Sequence, residues 1–173
     1  NMKRILNTDT IKYIGKKVKV AGWVDTIRAH GGLSFIDLRD RTGILQIIAQ
    51  GEIAKTLKEE GVVEIEGEIK QRPEKMANPE LKTGAIEMQA EKINLLAVSA
   101  PLPFELKEGI NVSLPVALDF RALTLRNEKT RAIFKIEEEV VKTFRKTLDK
   151  LGFTEVQVPT IVPTATEGGA EVF

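Results

Sequence analysis

The chain lacks cysteine altogether and has a single histidine among its 173 residues. Without cysteine it can build no thiolate metal site, no thiol nucleophile and no disulfide framework. One histidine also argues against a local zinc site, so we expect no bound metal in this chain. The absence of disulfide chemistry is typical of a reducing compartment, and we expect a cytoplasmic protein.

Long apolar runs and an excess of charge of one sign are missing too. No apolar run reaches the roughly eighteen residues of a membrane span, and no charged-then-apolar leader opens the chain. Nothing therefore indicates membrane insertion or secretion. The 26 basic and 25 acidic residues leave a formal net charge of +1. Any contact with nucleic acid must come from local patches or base stacking rather than from an overall positive field.

What the chain does have is enough apolar material for a folded core. Hydrophobic residues make up 42% of the sequence, which suits one complete domain and part of a second. Residues 16–96 alternate apolar and polar side chains with the two-residue period of β-strands. Gly31-Gly32 and the run 40–43 mark turns between strands. The alternating apolar residues that we assign to the core are Val18, Val20, Val24, Ile36, Leu38, Val63, Ile65 and Ile69.

One short helix interrupts this series of strands. Residues 52–60 carry the four-residue apolar spacing of a helix, and Gly61 is placed to cap its end. Three strands, a short helix and two further strands follow the order of an OB-fold, a five-stranded Greek-key barrel that commonly binds oligonucleotides. Other five-stranded barrels share the strand count, so the order alone leaves a different function open.

The polar side of the second predicted strand carries an aromatic ring. Ile36 and Leu38 alternate to one side, so Phe35 shares the other side with Asp37 and Arg39. We therefore expect Phe35 to be exposed, where its ring can stack on an unpaired base. The alternative is that barrel curvature or a bulge turns the ring inward to cap the core.

Gln46 and Glu87 also fall on the polar sides of their strands. An amide both donates and accepts hydrogen bonds, and a carboxylate accepts them from amino groups, so both side chains suit the reading of base edges. Taken singly, each is better explained as an ordinary solvated residue.

The pattern changes twice after the barrel. Residues 97–125 show no periodicity and include three prolines, which predicts a linker or hinge. Over 128–151 apolar residues recur at three- and four-residue steps, predicting one long amphipathic helix with Asn127 as N-cap and Gly152 as its stop. A strand is expected over 153–159, ending at its proline.

The barrel region resembles the anticodon-binding domain of bacterial aspartyl-tRNA synthetases, which are class II aminoacyl-tRNA synthetases. The matching segments are Gly22-Trp23-Val24, Arg28, His30-Gly31-Gly32-Leu33, 35–41, Gly43, Gln46, Arg72-Pro73, Asn78-Pro79 and 83–87. The resemblance implies that Phe35 stacks on the central anticodon base. It also implies that Arg28, Gln46 and Glu87 contact anticodon nucleotides. Strand alternation and resemblance therefore select Phe35, Gln46 and Glu87 together.

His30 precedes the Gly31-Gly32 turn and is similar to the histidine of aspartyl enzymes with relaxed tRNA specificity, where strict bacterial enzymes tend to carry leucine. The aspartate and asparagine tRNAs differ at the third anticodon base, C against U. An imidazole donates or accepts according to its tautomer, which suits tolerance of both bases. The plainer interpretation is a polar residue before a turn.

The end of the chain resembles the start of a class II catalytic domain. Glu167, in the run Thr-Glu-Gly-Gly-Ala-Glu, is similar to the glutamate that binds the α-ammonium of the amino-acid substrate. Without the resemblance it is better explained as a turn residue beside two glycines. The long helix and the strand ending at Pro159 resemble the family's dimer interface, which implies a homodimer with twofold symmetry.

These resemblances imply a mainly β chain divided into an OB-fold domain (1–96), a linker or hinge (97–125) and the start of an α+β catalytic domain (126–173). The intact enzyme is expected to join aspartate to tRNA(Asp) and, with relaxed specificity, to tRNA(Asn). ATP and Mg²⁺ are expected to bind residues beyond Phe173. We expect this N-terminal part to recognise the tRNA and to be inactive alone, because it lacks the second and third class II motifs.

Two other classes stay open at this point. A free-standing OB-fold RNA-binding module explains the barrel but leaves the long helix and the strand after it unexplained. An asparaginyl-tRNA synthetase explains the architecture, although its loop after the first strand usually lacks the His-Gly-Gly sequence.

Overall fold

The computed structural model describes residues 2–51, 56–106 and 112–158. Its contacts divide the chain into two compact units, Asn1–Leu102 and Pro103–Phe173. The strands belong to the first unit and the long helix to the second.

The first unit is a closed barrel of five strands. They are β1 (Lys17–His30), β2 (Leu33–Asp40), β3 (Gly43–Gln50), β4 (Val62–Gln71) and β5 (Ile86–Ala97). Their order around the barrel is β1-β2-β3-β5-β4, and β4 pairs with β1 to close it. The parallel seam between β3 and β5 joins only two residue pairs, whereas the other four seams are antiparallel and longer. The predicted mainly β, five-stranded barrel is confirmed.

Alternate side chains of the strands fill the barrel interior, as the two-residue period requires. The eight core residues predicted from alternation are all buried. Strands β3 and β5 add Leu45, Ile47, Ile86 and Met88 to the same cluster. Hydrophobic burial of this one cluster supplies the main stabilising term of the first unit.

The β1–β2 hairpin turns at Gly31 and Gly32, whose φ angles are +58° and +84°. A two-residue turn of this hand needs positive φ at both central residues, which glycine adopts without a steric penalty. Strand β1 runs through to His30, which pairs with Leu33 across the turn. A register shift between Val24 and Thr26 bulges β1 before the hairpin.

A 3₁₀-helix over Asn7–Tyr13 precedes β1 and was not predicted from the sequence. Asn7 is fully buried, and its Nδ2 donates to the carbonyl oxygens of Leu38 at 2.8 Å and Gly43 at 3.0 Å. Its backbone N–H donates to Oδ2 of Asp40 at 2.8 Å. The segment before the barrel is therefore bonded to the β2–β3 turn.

The helix expected over 52–60 lies partly outside the described residues, because 52–55 are not among them. The prediction that Gly61 caps the end of this helix is wrong. Glu60 takes the left-handed conformation (φ +63°), and Gly61 does not. The Glu60 carboxylate accepts hydrogen bonds from Nη2 of Arg39 at 2.7 and 2.8 Å, and this ion pair offsets the backbone strain at a residue with a side chain.

The second unit contains α1 (Leu114–Asp119), α2 (Arg121–Thr124) and α3 (Glu128–Lys150). The first two helices lie in the region expected to be an aperiodic linker, and they are too short to leave a periodic signal. Within the described parts of the chain, no helix is both long and apolar enough to cross a membrane.

Helix α3 begins and ends where the sequence predicts. The Asn127 side chain accepts hydrogen bonds from the backbone N–H groups of Lys129 at 3.0 Å and Thr130 at 3.3 Å, which is the geometry of an N-cap. At the other end Gly152 has φ +84°, and the Phe153 N–H donates to the Leu148 carbonyl at 3.1 Å. These bonds form the glycine-ended helix stop that the sequence indicated.

The strand expected after α3 is not present over the described residues 153–158, which are exposed and unpaired to any strand. A strand needs a neighbour to satisfy its backbone groups, and no strand of the second unit is described beside it. Alternation alone could not reveal whether such a neighbour exists. Pro159 and Glu167, the two other candidates from this region, lie outside the described residues.

Candidate nucleic-acid interface

The outer face of β1, β2 and β3 brings the candidate residues into register. Arg28 of β1 pairs with Phe35 of β2, and Asp37 of β2 pairs with Gln46 of β3. Since residues two apart on a strand share a side, Phe35 and Asp37 lie next to each other along β2. Three strands thus place an aromatic ring, a guanidinium, a carboxylate and an amide on one surface. We call this surface the outer-face patch; its members are Phe35, Arg28, Asp37 and Gln46.

Glu87 joins the outer-face patch from β5. Ile47 of β3 is paired with Met88 of β5 in the parallel seam, and both are buried in the core. Gln46 and Glu87 each precede one of these residues, so they lie side by side on the opposite, outer surface. The barrel closure thereby joins two positions that are 41 residues apart in the sequence.

Phe35 lies on the outer side of β2, between the buried side chains of Ser34 and Ile36. Its ring is half-buried rather than fully exposed. It is opposite Ile48 of β3, which is also half-buried. One face of the ring can therefore rest on the sheet while the other remains open to a base.

Arg28 extends from the outer-face patch, and its side chain is largely exposed. Its Nη2 lies 3.0 Å from Oδ2 of Asp37, whose side chain is mostly covered. His30 is two residues further along β1, at the end of the hairpin, and is exposed. The hairpin thus carries two nitrogen-bearing side chains on the side of the sheet that holds Phe35.

Glu87 is accompanied by Arg72, to which sequence analysis assigned no role. Nε of Arg72 lies 3.7 Å from Oε2 of Glu87, and Nη1 donates to the Gly84 carbonyl at 3.4 Å. The Arg72 side chain is mostly buried. The pair was not visible in the sequence, because it depends on how β4 and β5 are aligned across the loop between them.

Arg39 of β2, by contrast, has a structural role. Arg39 donates through Nη1 to Asp25 and through Nη2 to Glu60, so it joins β1, β2 and the segment before β4. Its donors are engaged within the fold, which leaves Arg28 as the arginine of β1 and β2 that extends toward solvent. Among the described residues, no group of three or more His, Cys, Asp or Glu side chains that could hold a metal ion occurs.

Two family models match successive parts of this chain. Residues 18–96 match the OB-fold nucleic-acid binding domain of the tRNA anticodon type, and residues 113–173 match the class II tRNA synthetases (D, K and N). Together they describe an OB-fold of the anticodon type followed by the start of a class II synthetase domain. The barrel is thus an OB-fold, and the helical unit matches the start of the class II domain, as the sequence predicted.

Curated relatives of this chain include the aspartate–tRNA(Asp/Asn) ligase of Hydrogenobaculum sp., which is 39% identical over 166 residues. The aspartate–tRNA ligase of Listeria monocytogenes is 40% identical over 166 residues. Each match covers 92% of this chain and 28% of the relative. The chain therefore spans little more than a quarter of the length of these relatives.

Among solved structures, the asparaginyl-tRNA synthetase of Pyrococcus horikoshii complexed with asparaginyl-adenylate is 34% identical, with a TM-score of 0.71. The match covers 91% of this chain and 36% of that one. Both aspartyl and asparaginyl enzymes are thus similar to this chain.

Proposed function

We propose that this chain recognises the anticodon of tRNA(Asp) through the outer-face patch, and that the intact protein is an aspartate–tRNA ligase. The observation that carries the proposal is the register of four strands, which places Arg28, Phe35, Gln46 and Glu87 side by side. In an OB-fold of the anticodon-binding family, such a patch combines one stacking platform with several groups that can bond to base edges.

The chemistry of the patch fits unpaired bases better than a duplex. An aromatic ring stacks on any exposed base, at roughly 1–3 kcal/mol per base. Amide, carboxylate and guanidinium groups then distinguish bases by the donors and acceptors on their edges. With a formal net charge of +1, the chain has little general attraction for phosphates, so these local contacts must supply most of the recognition.

The chemical step belongs to the intact enzyme. ATP activates the aspartate carboxylate as aspartyl-adenylate with release of pyrophosphate, and the terminal adenosine of the tRNA then accepts the aspartyl group with release of AMP. Glu167 is proposed to hold the substrate α-ammonium through a charge-assisted hydrogen bond. ATP and Mg²⁺ are assigned to residues beyond this chain, and a cytoplasmic location is part of the same proposal.

A homodimer is also proposed for the intact enzyme, with α3 and the segment ending at Pro159 in the interface. Support comes from the apolar side of α3, where Ile133, Ile136, Val140 and Phe144 are exposed. An amphipathic helix with its apolar side in water is stabilised when that side is covered.

The direct test is aminoacylation by the intact protein. Aspartate and asparagine would each be offered with transcripts of tRNA(Asp) and tRNA(Asn). The proposal requires aspartate to be attached to tRNA(Asp). Attachment of asparagine alone would instead establish an asparaginyl enzyme, the alternative that the Pyrococcus horikoshii likeness favours. A free-standing RNA-binding module does not account for the class II match over 113–173.

His30 is proposed to relax the choice between the two tRNAs. We expect the intact enzyme to charge both transcripts with comparable kcat/KM. His30→Leu removes the donor and acceptor at the hairpin end, and it should shift preference toward tRNA(Asp) about tenfold, or about 1.4 kcal/mol. His30→Gln, which retains both hydrogen-bonding functions, serves as the matched control and should shift preference less. A wild-type enzyme that already prefers tRNA(Asp) a hundredfold would contradict this assignment.

A further inference from the structure

Asp37 lies at the centre of the outer-face patch, although its role is not explained by stacking or by base reading. It is two residues from Phe35 on the same side of β2, and it pairs with Gln46 of β3. Its Oδ2 is 3.0 Å from Nη2 of Arg28. One carboxylate therefore adjoins three of the side chains proposed to meet the anticodon.

The two members of the Arg28–Asp37 pair differ in exposure. The Asp37 side chain is 18% exposed, whereas that of Arg28 is 60% exposed. The carboxylate is thus held against the sheet, and the guanidinium projects from it toward solvent. A guanidinium has five N–H donors in a rigid fork, and the contact with Asp37 leaves several of them for a ligand.

The carboxylate changes what Arg28 can recognise. An arginine beside a stacked base attracts phosphate groups when no carboxylate neutralises its charge. Phosphate groups are the same in every RNA sequence, so this attraction carries no specificity. A carboxylate next to the arginine cancels most of that attraction and repels the backbone, while the remaining N–H groups can still donate to base edges. Specificity increases when the wrong contact is made unfavourable as well as the right one favourable.

A second acid–base pair lies beside the first, with both of its side chains mostly covered. Glu87 of β5 has Arg72 at 3.7 Å, so each of these two cations is next to an acid. Within the described residues the two pairs contribute no net charge to the patch. This is the pattern expected of a surface that reads bases rather than one that binds RNA through its phosphates.

We propose that Asp37 is a positioning and specificity-determining residue, which directs Arg28 toward base edges and repels the phosphate backbone. The inference rests on the proposed function, because it requires that the outer-face patch binds an anticodon loop.

The test compares two RNA hairpins that share one stem, one with the tRNA(Asp) anticodon loop and one with a shuffled loop. Dissociation constants are measured at several salt concentrations for the wild-type chain, Asp37→Asn, Arg28→Gln and the double variant. Asp37→Asn should tighten binding of the shuffled loop and weaken binding of the anticodon loop. The ratio of the shuffled-loop Kd to the anticodon-loop Kd should therefore fall about tenfold. The slope of log K against log salt should steepen by about 0.7, the value of one added phosphate contact on a single strand.

Two comparisons separate this role from a structural one. In the Arg28→Gln background, Asp37→Asn should leave the ratio nearly unchanged, because the side chain it positions is gone. The matched control is Glu64→Gln, which removes another half-buried outer carboxylate that pairs with a lysine, Lys19 at 3.2 Å. It should alter neither the ratio nor the slope.

An unchanged ratio and slope in Asp37→Asn would overturn the inference while leaving anticodon recognition intact. Equal weakening of both hairpins would also overturn it, since that is the result of a purely structural role. A wild-type chain that binds the two hairpins equally would instead refute anticodon recognition, and the inference about Asp37 with it.

Discussion

Replacing Phe35 with alanine is expected to weaken binding of the tRNA(Asp) anticodon hairpin by roughly 1–3 kcal/mol, about five- to 150-fold in Kd. The ring lies on the outer side of β2 and is half-buried against the sheet, so its removal takes away a stacking surface without opening a core cavity. Isothermal titration or fluorescence anisotropy on the 173-residue chain would measure the loss.

Three variants make the Phe35 result interpretable. Phe35→Tyr keeps the aromatic face and should bind normally, whereas Phe35→Leu keeps apolar area without a π-face and should bind nearly as weakly as alanine. Trp23→Ala is the matched control, because Trp23 is an exposed aromatic residue of the neighbouring strand β1 but lies opposite Arg39, four positions along β2 from Phe35. A Phe35→Ala chain that melts several degrees lower and binds RNA normally would show that the ring supports the fold instead.

Replacing Asp40 with alanine is expected to destabilise the barrel by about 3 kcal/mol, because one buried and several part-buried donors lose their acceptor. Oδ1 accepts from the backbone N–H and hydroxyl of Thr42 at 2.7 and 2.6 Å. Oδ2 accepts from the Asn7 N–H at 2.8 Å. The substitution therefore releases both the β2–β3 turn and the 3₁₀-helix before β1.

Urea unfolding of the chain, followed by the fluorescence of Trp23, measures the change at Asp40. Asp40→Asn retains one carbonyl oxygen and should lose less stability than Asp40→Ala. The control is Asp9→Ala, which removes an exposed aspartate that forms an ion pair with Lys12 in the same 3₁₀-helix. Such an exposed pair contributes little to stability, because water screens its attraction. Equal stability of the Asp40→Ala and wild-type chains would show that the bonds to Asn7 and Thr42 are dispensable.

Features that depend on neighbouring residues were predictable from the sequence. Alternation placed Ile36 and Leu38 in the core and Phe35 outside it, because the side of a strand depends only on the two-residue period. The caps of α3 were predictable for the same reason, since Asn127 and Gly152 act within one helical turn.

Features that depend on distant residues were not predictable in this way. The Asn7 amide donates to carbonyl groups that lie 31 and 36 residues away in the sequence. No local sequence pattern therefore indicates that Asn7 is buried. The bulge between Val24 and Thr26 shifts the alternation of β1, so the sides taken by its residues after Val24 could not be predicted from the two-residue period alone. The Arg28–Asp37 contact needs the β1–β2 register, which becomes known only when the hairpin is built.

The short parallel seam between β3 and β5 has a dynamic consequence. With only two residue pairs joining these strands, it is the place where the barrel has the fewest backbone bonds to break, and local opening is expected to begin there. Gln46 and Glu87 lie on its two sides. An RNA loop bound to both side chains links β3 to β5 and opposes their separation. Binding should therefore slow amide hydrogen exchange around Ile47 and Met88 as well as at the contact surface. In the proposed mode of binding, the same pair of strands thus couples RNA recognition to the rigidity of the barrel.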